Sequence, residues 1–164
     1  MDKNITILVD FDYTLFDTAK LVKTLSGSPE RLDYKDFLYT DALELIDYAS
    51  GLGNLILFSE GDIDFQKEKI DGTGIGKLFS GGVKVFPSYS KMQYLANIAP
   101  GKKVILIDDK PEVLDKGISL GYRVIRVKRG KYSDDETKSK PDFVVNDLSE
   151  ICKKDLLRSI RFDL

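Results

Sequence analysis

The composition of this 164-residue chain excludes several classes of protein at once. Its 25 basic and 27 acidic residues give a formal charge of −2, so no cationic excess points to nucleic acid as a main partner. No apolar run approaches the ~20 residues that a bilayer crossing needs, a lone cysteine (Cys152) forbids an internal disulfide, and the absence of histidine removes Ser-His-Asp, Cys-His and imidazole-zinc chemistry. What remains is expected to be one globular α/β domain with a substantial core, placed in a reducing cytoplasm and carrying no export signal at its start.

The elements follow in chain order. Ile5–Val9 is a continuous apolar run, as a strand covered on both faces requires, and it leads into Asp10-Phe11-Asp12-Tyr13-Thr14. Residues 17–40 interrupt the pattern with two weakly helical pieces around Ser26-Gly27-Ser28-Pro29 and a polar-aromatic stretch. They are read as a small helical insertion beside that loop. Ala42, Leu45, Ile46 and Ala49 fall at helical spacing, and the helix stops at Gly51-Leu52-Gly53. A second strand over 54–58 ends at Ser59, and a helical stretch follows Asp62. Gly72 to Lys77 has the flavour of a phosphate-binding loop, but Asp71 and Leu78 stand where that pattern needs glycine and Ser or Thr, so it reads as a connection.

A third strand over 83–86 precedes a helix carrying Met92, Leu95, Ala96 and Ala99, ended by Pro100-Gly101. The strand over 104–107 delivers Asp108-Asp109. Pro111 then opens a helix that closes near Gly121. Arg123–Val127 and residues 142–145 are read as further strands, with the charged run 128–140 between them as a solvated polar loop. The tail is predicted as one helix with Leu148, Cys152, Leu156 and Ile160 on one face.

Strands alternating with three-turn helices imply right-handed crossovers and a doubly wound parallel sheet, a Rossmann-like arrangement that binds ligands beyond the carboxyl ends of its strands. Asp10 and Asp12, Ser59, and Asp108-Asp109 all come at such ends. In an extended backbone residues i and i+2 face the same way, so Asp10 and Asp12 are expected to point at one spot. Several carboxylates at one edge make an oxygen-lined site for a hard cation, with Mg²⁺ the natural candidate alongside a substrate phosphate. A carboxylate beside a metal and a lysine stays ionised and can attack phosphorus. A second one can protonate the leaving oxygen and then activate water. Lys91, opening its helix, would serve the phosphoryl oxygens, with Lys84 a rival.

In this order, Asp10-Phe11-Asp12-Tyr13-Thr14, Ser59, Lys91 and Asp108-Asp109 resemble the four motifs of the haloacid dehalogenase superfamily of hydrolases, over roughly residues 5–127. The resemblance implies that Asp10 is the nucleophile forming an aspartyl-phosphate, Asp12 the general acid and base, and Thr14 a brace for the loop. It gives Ser59 and Lys91 to the phosphoryl oxygens. It gives Mg²⁺ to Asp10, the main-chain carbonyl of Asp12 and the Asp108-Asp109 pair, with Asp108 favoured as the direct ligand of the two. The dehalogenating branch lacks the second aspartate, so Asp12 points to phosphate chemistry. Two departures stand out: Tyr13 replaces a common glycine, and the 17–40 segment is only a vestige of a cap, which suits a bulky or macromolecular phosphate, or a small one bound with little selectivity.

Taken singly, these residues have plainer readings. Ser59 with Asp62 would cap a helix, and Asp108-Asp109 would face a helix dipole. A lysine in a first helical turn is ordinarily solvated, and the eight tyrosines read as surface. Two other functions compete with a Mg²⁺-dependent phosphatase: a receiver-like signalling domain, whose lysine would follow the second acidic pair rather than precede it, and a catalytically idle binding module of the same fold. Substrate identity and oligomeric state are left open by the sequence, as is any phosphorylated partner beyond a small molecule or a macromolecule.

Overall fold

The computed structural model describes residues 5–98 and 103–162. Six parallel strands form one sheet in the order β3-β2-β1-β4-β5-β6: β1 is Ile5–Val9, β2 Asn54–Gly61, β3 Val83–Pro87, β4 Lys103–Asp108, β5 Arg123–Val127 and β6 Phe143–Val145. β1 lies between β2 and β4, with Leu8 opposite Ile56 on one side and Leu106 on the other.

The continuous apolar runs are explained by helices on both faces. Ile7 and Val9 of β1, Leu55 and Leu57 of β2 and Ile105 and Ile107 of β4 enter one buried cluster. α2 (Ala42–Ser50) packs against it through Ala42, Leu45, Ile46 and Ala49, and Ile70 of α3 (Ile63–Thr73) joins it. The alternate residues Leu8, Ile56, Phe58, Val104 and Leu106 face Leu95 of α4 (Lys91–Ile98) and Val113 and Leu114 of α5 (Pro111–Ser119). Each such side chain contributes roughly 1.5–3 kcal/mol by leaving water.

The strand lengths differ from expectation at one informative place. β2 runs on to Gly61, paired with β3 through Ser59↔Val85 and Gly61↔Pro87, so Ser59 is a strand residue rather than the residue after one. Of the fourth predicted helix, Met92 and Leu95 fall within α4, whereas Ala99 and the Pro100-Gly101 stop lie outside the described residues.

The tail is not one helix. It breaks into α6 (Ser149–Lys153) and α7 (Leu156–Ser159) at Asp155, which takes a left-handed backbone (φ 51°). The Tyr48 hydroxyl donates to the Asp155 carboxylate at 2.5 Å and ties that kink to α2. The break lets Ile151, Leu156 and Leu157 all bury, which a straight helix with a Leu148-Cys152-Leu156 stripe would not do.

The segment leaving the first loop forms α1 (Thr18–Ser26), capped by Asp17 accepting from the Lys20 amide (2.9 Å), and then a short 3-10 turn over Tyr34–Phe37. Phe37 anchors it, buried with its ring 5.9 Å from Phe16.

Candidate active site

The first loop is built by Phe11. Its carbonyl accepts from the amides of Thr14, Leu15 and Phe16, and its ring stacks on Phe16 at 4.8 Å, so the chain turns sharply just past β1. The Asp10 amide still continues the ladder, donating to the Ile107 carbonyl at 2.9 Å. The strand gives way to this turn between Asp10 and Asp12. Both line the same cleft, but their carboxylates are held by different lysines.

Asp10 belongs to a buried acidic centre. The Lys91 ammonium lies 2.5 Å from Asp10 Oδ1 and 2.7 Å from Asp108 Oδ2, with all three side chains buried. Carboxylate oxygens of Asp10, Asp108 and Asp109 all lie within 4.8 Å of one another. Asp10 Oδ2 and Asp109 Oδ2 are buried without a hydrogen-bond partner among the described residues. An all-oxygen donor set with unsatisfied, buried carboxylate oxygens fits a hard divalent cation such as Mg²⁺. Lys84, the rival of Lys91, is exposed on β3 and does not line the cleft.

Burial pushes the Asp10 carboxyl up to about 7, with Lys91 opposing the rise and Asp108 adding to it. Asp109 is pushed up to about 10 by burial and by Asp10 and Asp108 beside it. Burial would lower the Lys91 ammonium, but the Asp10 and Asp108 carboxylates outweigh it and raise it above the ordinary lysine value.

For both raised carboxyls the folded state holds its proton more tightly than the unfolded chain, whose aspartates titrate near 3.9. Their contribution to stability is therefore fully present below about pH 4 and is lost as pH climbs through about 7 for Asp10 and about 10 for Asp109. The metal-free protein is expected to melt at lower temperature at about pH 8.5 than at about pH 5.5, and a divalent cation competes with those protons. Added Mg²⁺ should thus raise the melting temperature by several degrees at the higher pH and by little at the lower. An equal increment at both, read by thermal denaturation, would rule this out.

Asp12 faces the other wall. Its Oδ1 accepts from Lys69 Nζ and from the Thr18 hydroxyl, both at 2.5 Å, and its Oδ2 accepts from Gln66 Nε2 at 2.6 Å. The same Gln66 nitrogen lies 2.7 Å from Ser59 Oγ and 2.9 Å from the Glu60 carbonyl. Ser59 is therefore buried under Gln66 and linked through it to Asp12. Gly61 is needed here, since a Cβ at its position would stand 2.9 Å from Gln66 Cγ.

Glu60 caps the neighbouring helix. One of its oxygens accepts from the Lys91 amide (3.0 Å) and the other from Lys110 Nζ (2.9 Å). Burial alone would raise the Glu60 carboxyl, but Lys110 and that amide hold it below the usual range.

Thr14 lies beneath the loop, fully buried and away from the cleft, its carbonyl accepting from Arg129 at 2.7 Å. Arg129 forks onto Asp41 at 3.0 and 3.1 Å, and its guanidinium sits 3.8 Å from the Tyr39 ring centre. The 128–140 run is thus not simply solvated. Arg126, buried in β5, donates to the carbonyls of Tyr132 and Asp135, and Asp115 accepts from the Lys138 and Ser139 amides at 2.9 and 2.8 Å. The fixed loop brings Lys131 and Tyr132 to the rim of a cleft of about 300 Å³ that also exposes Asp10, Asp12, Tyr89, Lys91 and Asp109.

Tyr13 stands at φ 60°, the left-handed region that favours glycine, and its ring lies against Gly130, itself at φ 74°. A Cβ at position 130 would sit 2.3 Å from Tyr13 Cδ1 and 2.7 Å from its Cβ. Gly130→Ala combines a left-handed backbone penalty with overpacking and should cost roughly 2–4 kcal/mol in denaturant unfolding. A cost below about 0.5 kcal/mol would mean that the ring has room to move.

The residues that the sequence does not single out are Glu60, Gln66, Lys69, Lys110 and Arg129. For α3 a signal does exist: Asp62, Phe65, Gln66 and Lys69 follow Ser59 at helical spacing, and all four line the cleft.

A doubly wound parallel sheet with acidic groups beyond its two central strands defines a Rossmann-like α/β class. Within it the chain has the haloacid dehalogenase superfamily fold. It is similar to a proposed haloacid dehalogenase-like hydrolase from Burkholderia xenovorans, at 17% identity and a TM-score of 0.83 over 97% of this chain and 100% of the other. It is similar to YfnB of Bacillus subtilis, a proposed hydrolase of that superfamily bound to magnesium, at 13% identity and a TM-score of 0.64 over 93% and 99%. It is also similar to the L-2-haloacid dehalogenase of Xanthobacter autotrophicus, at 14% identity and a TM-score of 0.61 over 95% and 99%. No protein-family model and no curated protein matches the sequence.

Proposed function

We propose that this chain is a Mg²⁺-dependent phosphohydrolase of the haloacid dehalogenase superfamily, cleaving a phosphomonoester through an aspartyl-phosphate on Asp10. The observation that carries the reading is the buried centre under the cleft. There Lys91 bridges Asp10 and Asp108, while Asp10 and Asp109 each keep a buried oxygen without a hydrogen-bond partner among the described residues. Asp10, Asp108, Asp109 and the Asp12 carbonyl would hold the cation, which when bound neutralises charge on the phosphoryl group.

Asp10 attacks phosphorus. As its new bond forms, the bond to the leaving oxygen breaks, and Asp12 supplies the proton that oxygen needs. In the second step water adds to phosphorus, its proton passes to Asp12 and the Asp10–phosphorus bond breaks. Lys91 and Ser59 serve the phosphoryl oxygens, and Thr14 stays a brace, held from behind by Arg129. This chemistry is mostly positioning and charge neutralisation.

A dehalogenase shares the fold. A halide leaves without needing a proton, so the presence of a second carboxylate, Asp12, in the cleft is better matched to an oxygen leaving group. The substrate would be a small or macromolecular phosphate, and the enzyme would work in the cytoplasm. Turnover of an aryl phosphate with and without Mg²⁺ tests the reading. Metal-dependent hydrolysis supports it, and no hydrolysis under either condition would favour a binding module instead.

A further inference from the structure

Lys69 is buried with only 2% of its surface exposed, and the role given to Asp10, Lys91 and the acidic centre makes no use of it. Its ammonium lies 5.4, 5.4 and 5.2 Å from the ring centres of Phe11, Phe16 and Phe65, an aromatic box open towards Asp12. Among the described residues its single ion pair is with Asp12 Oδ1, at 2.5 Å. Lysine carries a long flexible stem, and fixing it in a closed box costs rotamer entropy and desolvation that one cation–aromatic cluster offsets only in part. A core position that needed only volume would be filled better by leucine or methionine.

On the far side of the same carboxylate, Gln66 spans Asp12 Oδ2 and Ser59 Oγ, and Thr18 closes the set. Asp12 therefore accepts from three donors on two elements, which hold both of its oxygens.

Resting on the phosphohydrolase reading above, we infer that Lys69 is a positioning residue for the second half of the reaction. It aims the Asp12 carboxylate as the base that takes a proton from the water hydrolysing the aspartyl-phosphate. In that step the water oxygen bonds to phosphorus, its proton goes to Asp12, the Asp10–phosphorus bond breaks, and Asp10 returns as a carboxylate. Gln66 joins the same carboxylate to the buried Ser59, so Asp12 is held from both of its oxygens by Gln66 and Lys69 of α3.

The test uses 4-nitrophenyl phosphate with Mg²⁺, because nitrophenolate leaves without a proton and the first half-reaction then places little demand on Asp12. Lys69→Met fits an apolar box and should release a stoichiometric burst of nitrophenolate, followed by a steady state slowed roughly 100-fold. Slowing only the second step lowers kcat and KM together and leaves kcat/KM near the wild-type value. Acid-quenched Lys69→Met should carry a phosphoryl group by mass, and Lys69→Arg, which restores donors, should regain most of the rate.

A loss of burst and steady state in parallel, or a fall in kcat/KM matching that in kcat, would reduce Lys69 to a structural role and overturn the inference. An unchanged steady state would overturn it too. If Lys69→Met does not fold, the same comparison is read on Lys69→Gln. Wild-type protein inert towards the substrate would instead remove the phosphohydrolase reading, and this inference with it.

Discussion

Asp10→Asn should lower Mg²⁺-dependent turnover of an aryl phosphate by about 10⁴-fold or more while leaving the protein folded. The amide is nearly the same size, so packing beneath the cleft is kept, but its neutral carbonyl oxygen lacks the negative charge that makes a carboxylate the proposed nucleophile at phosphorus. The altered chain also loses half of the Lys91 bridge, which now has Asp108 alone as its carboxylate. Against that loss stands relief of repulsion, since Asp10 is one of the groups that push Asp109 up. The two opposing effects should keep the change in melting temperature small compared with the change in rate. Turnover followed at saturating Mg²⁺, alongside a melting curve, checks both halves. Retention of more than about a tenth of the wild-type rate would mean that chemistry proceeds without a covalent intermediate on Asp10.

The second large effect is expected from Lys91→Met. Lys91 compensates two buried carboxylates at 2.5 and 2.7 Å, and removing one partner of a buried ionic cluster typically costs about 3–5 kcal/mol, because the charges left behind have neither water nor a counterion. The loss should depend on pH. Near pH 5 the variant can shed the penalty by protonating Asp10, whose carboxyl burial already pushes up to about 7 even with Lys91 opposing it. Near pH 8 it cannot do so as readily, so the destabilisation should be greater there. Denaturant midpoints of metal-free wild type and variant at the two pH values measure this. Equal midpoints at pH 8 would show that the ammonium is not what holds the acidic centre together. Saturating Mg²⁺ should recover part of the stability by supplying positive charge to the same carboxylates.

What could be read from the chain beforehand follows from how each feature is encoded. The sheet was legible because β1, β2 and β4 are buried on both faces and so are written as unbroken apolar runs. Asp10 and Asp108 were legible for the same reason, since a carboxylate directly after such a run contrasts sharply with its surroundings. Lys91 could be narrowed only to a choice with Lys84. The fold decides between them by burying one at the head of α4 and leaving the other in water.

Lys69 was hidden because it lies within Gln66-Lys67-Glu68-Lys69, where any lysine looks solvated, and only the docking of α3 against the first loop buries one of the two. Arg129 was hidden likewise in a charged run whose partners Asp41 and Thr14 are far away in sequence. The break at Asp155 left no mark in the apolar stripe, because Leu148, Leu156 and Ile160, whose spacing suggests one helix, are also buried in the broken tail. Local pattern reports burial well. It does not report which distant side chain arrives to meet a polar group.

The fit of Tyr13 over Gly130 has a consequence for how this sequence can drift. Neither position is free while the other stays: a side chain at 130 strikes the ring, and the ring occupies the space such a side chain would need. Relatives that carry glycine at the first position are released from that constraint and should tolerate alanine or serine at the second, so the two sites ought to exchange in step across a family tree.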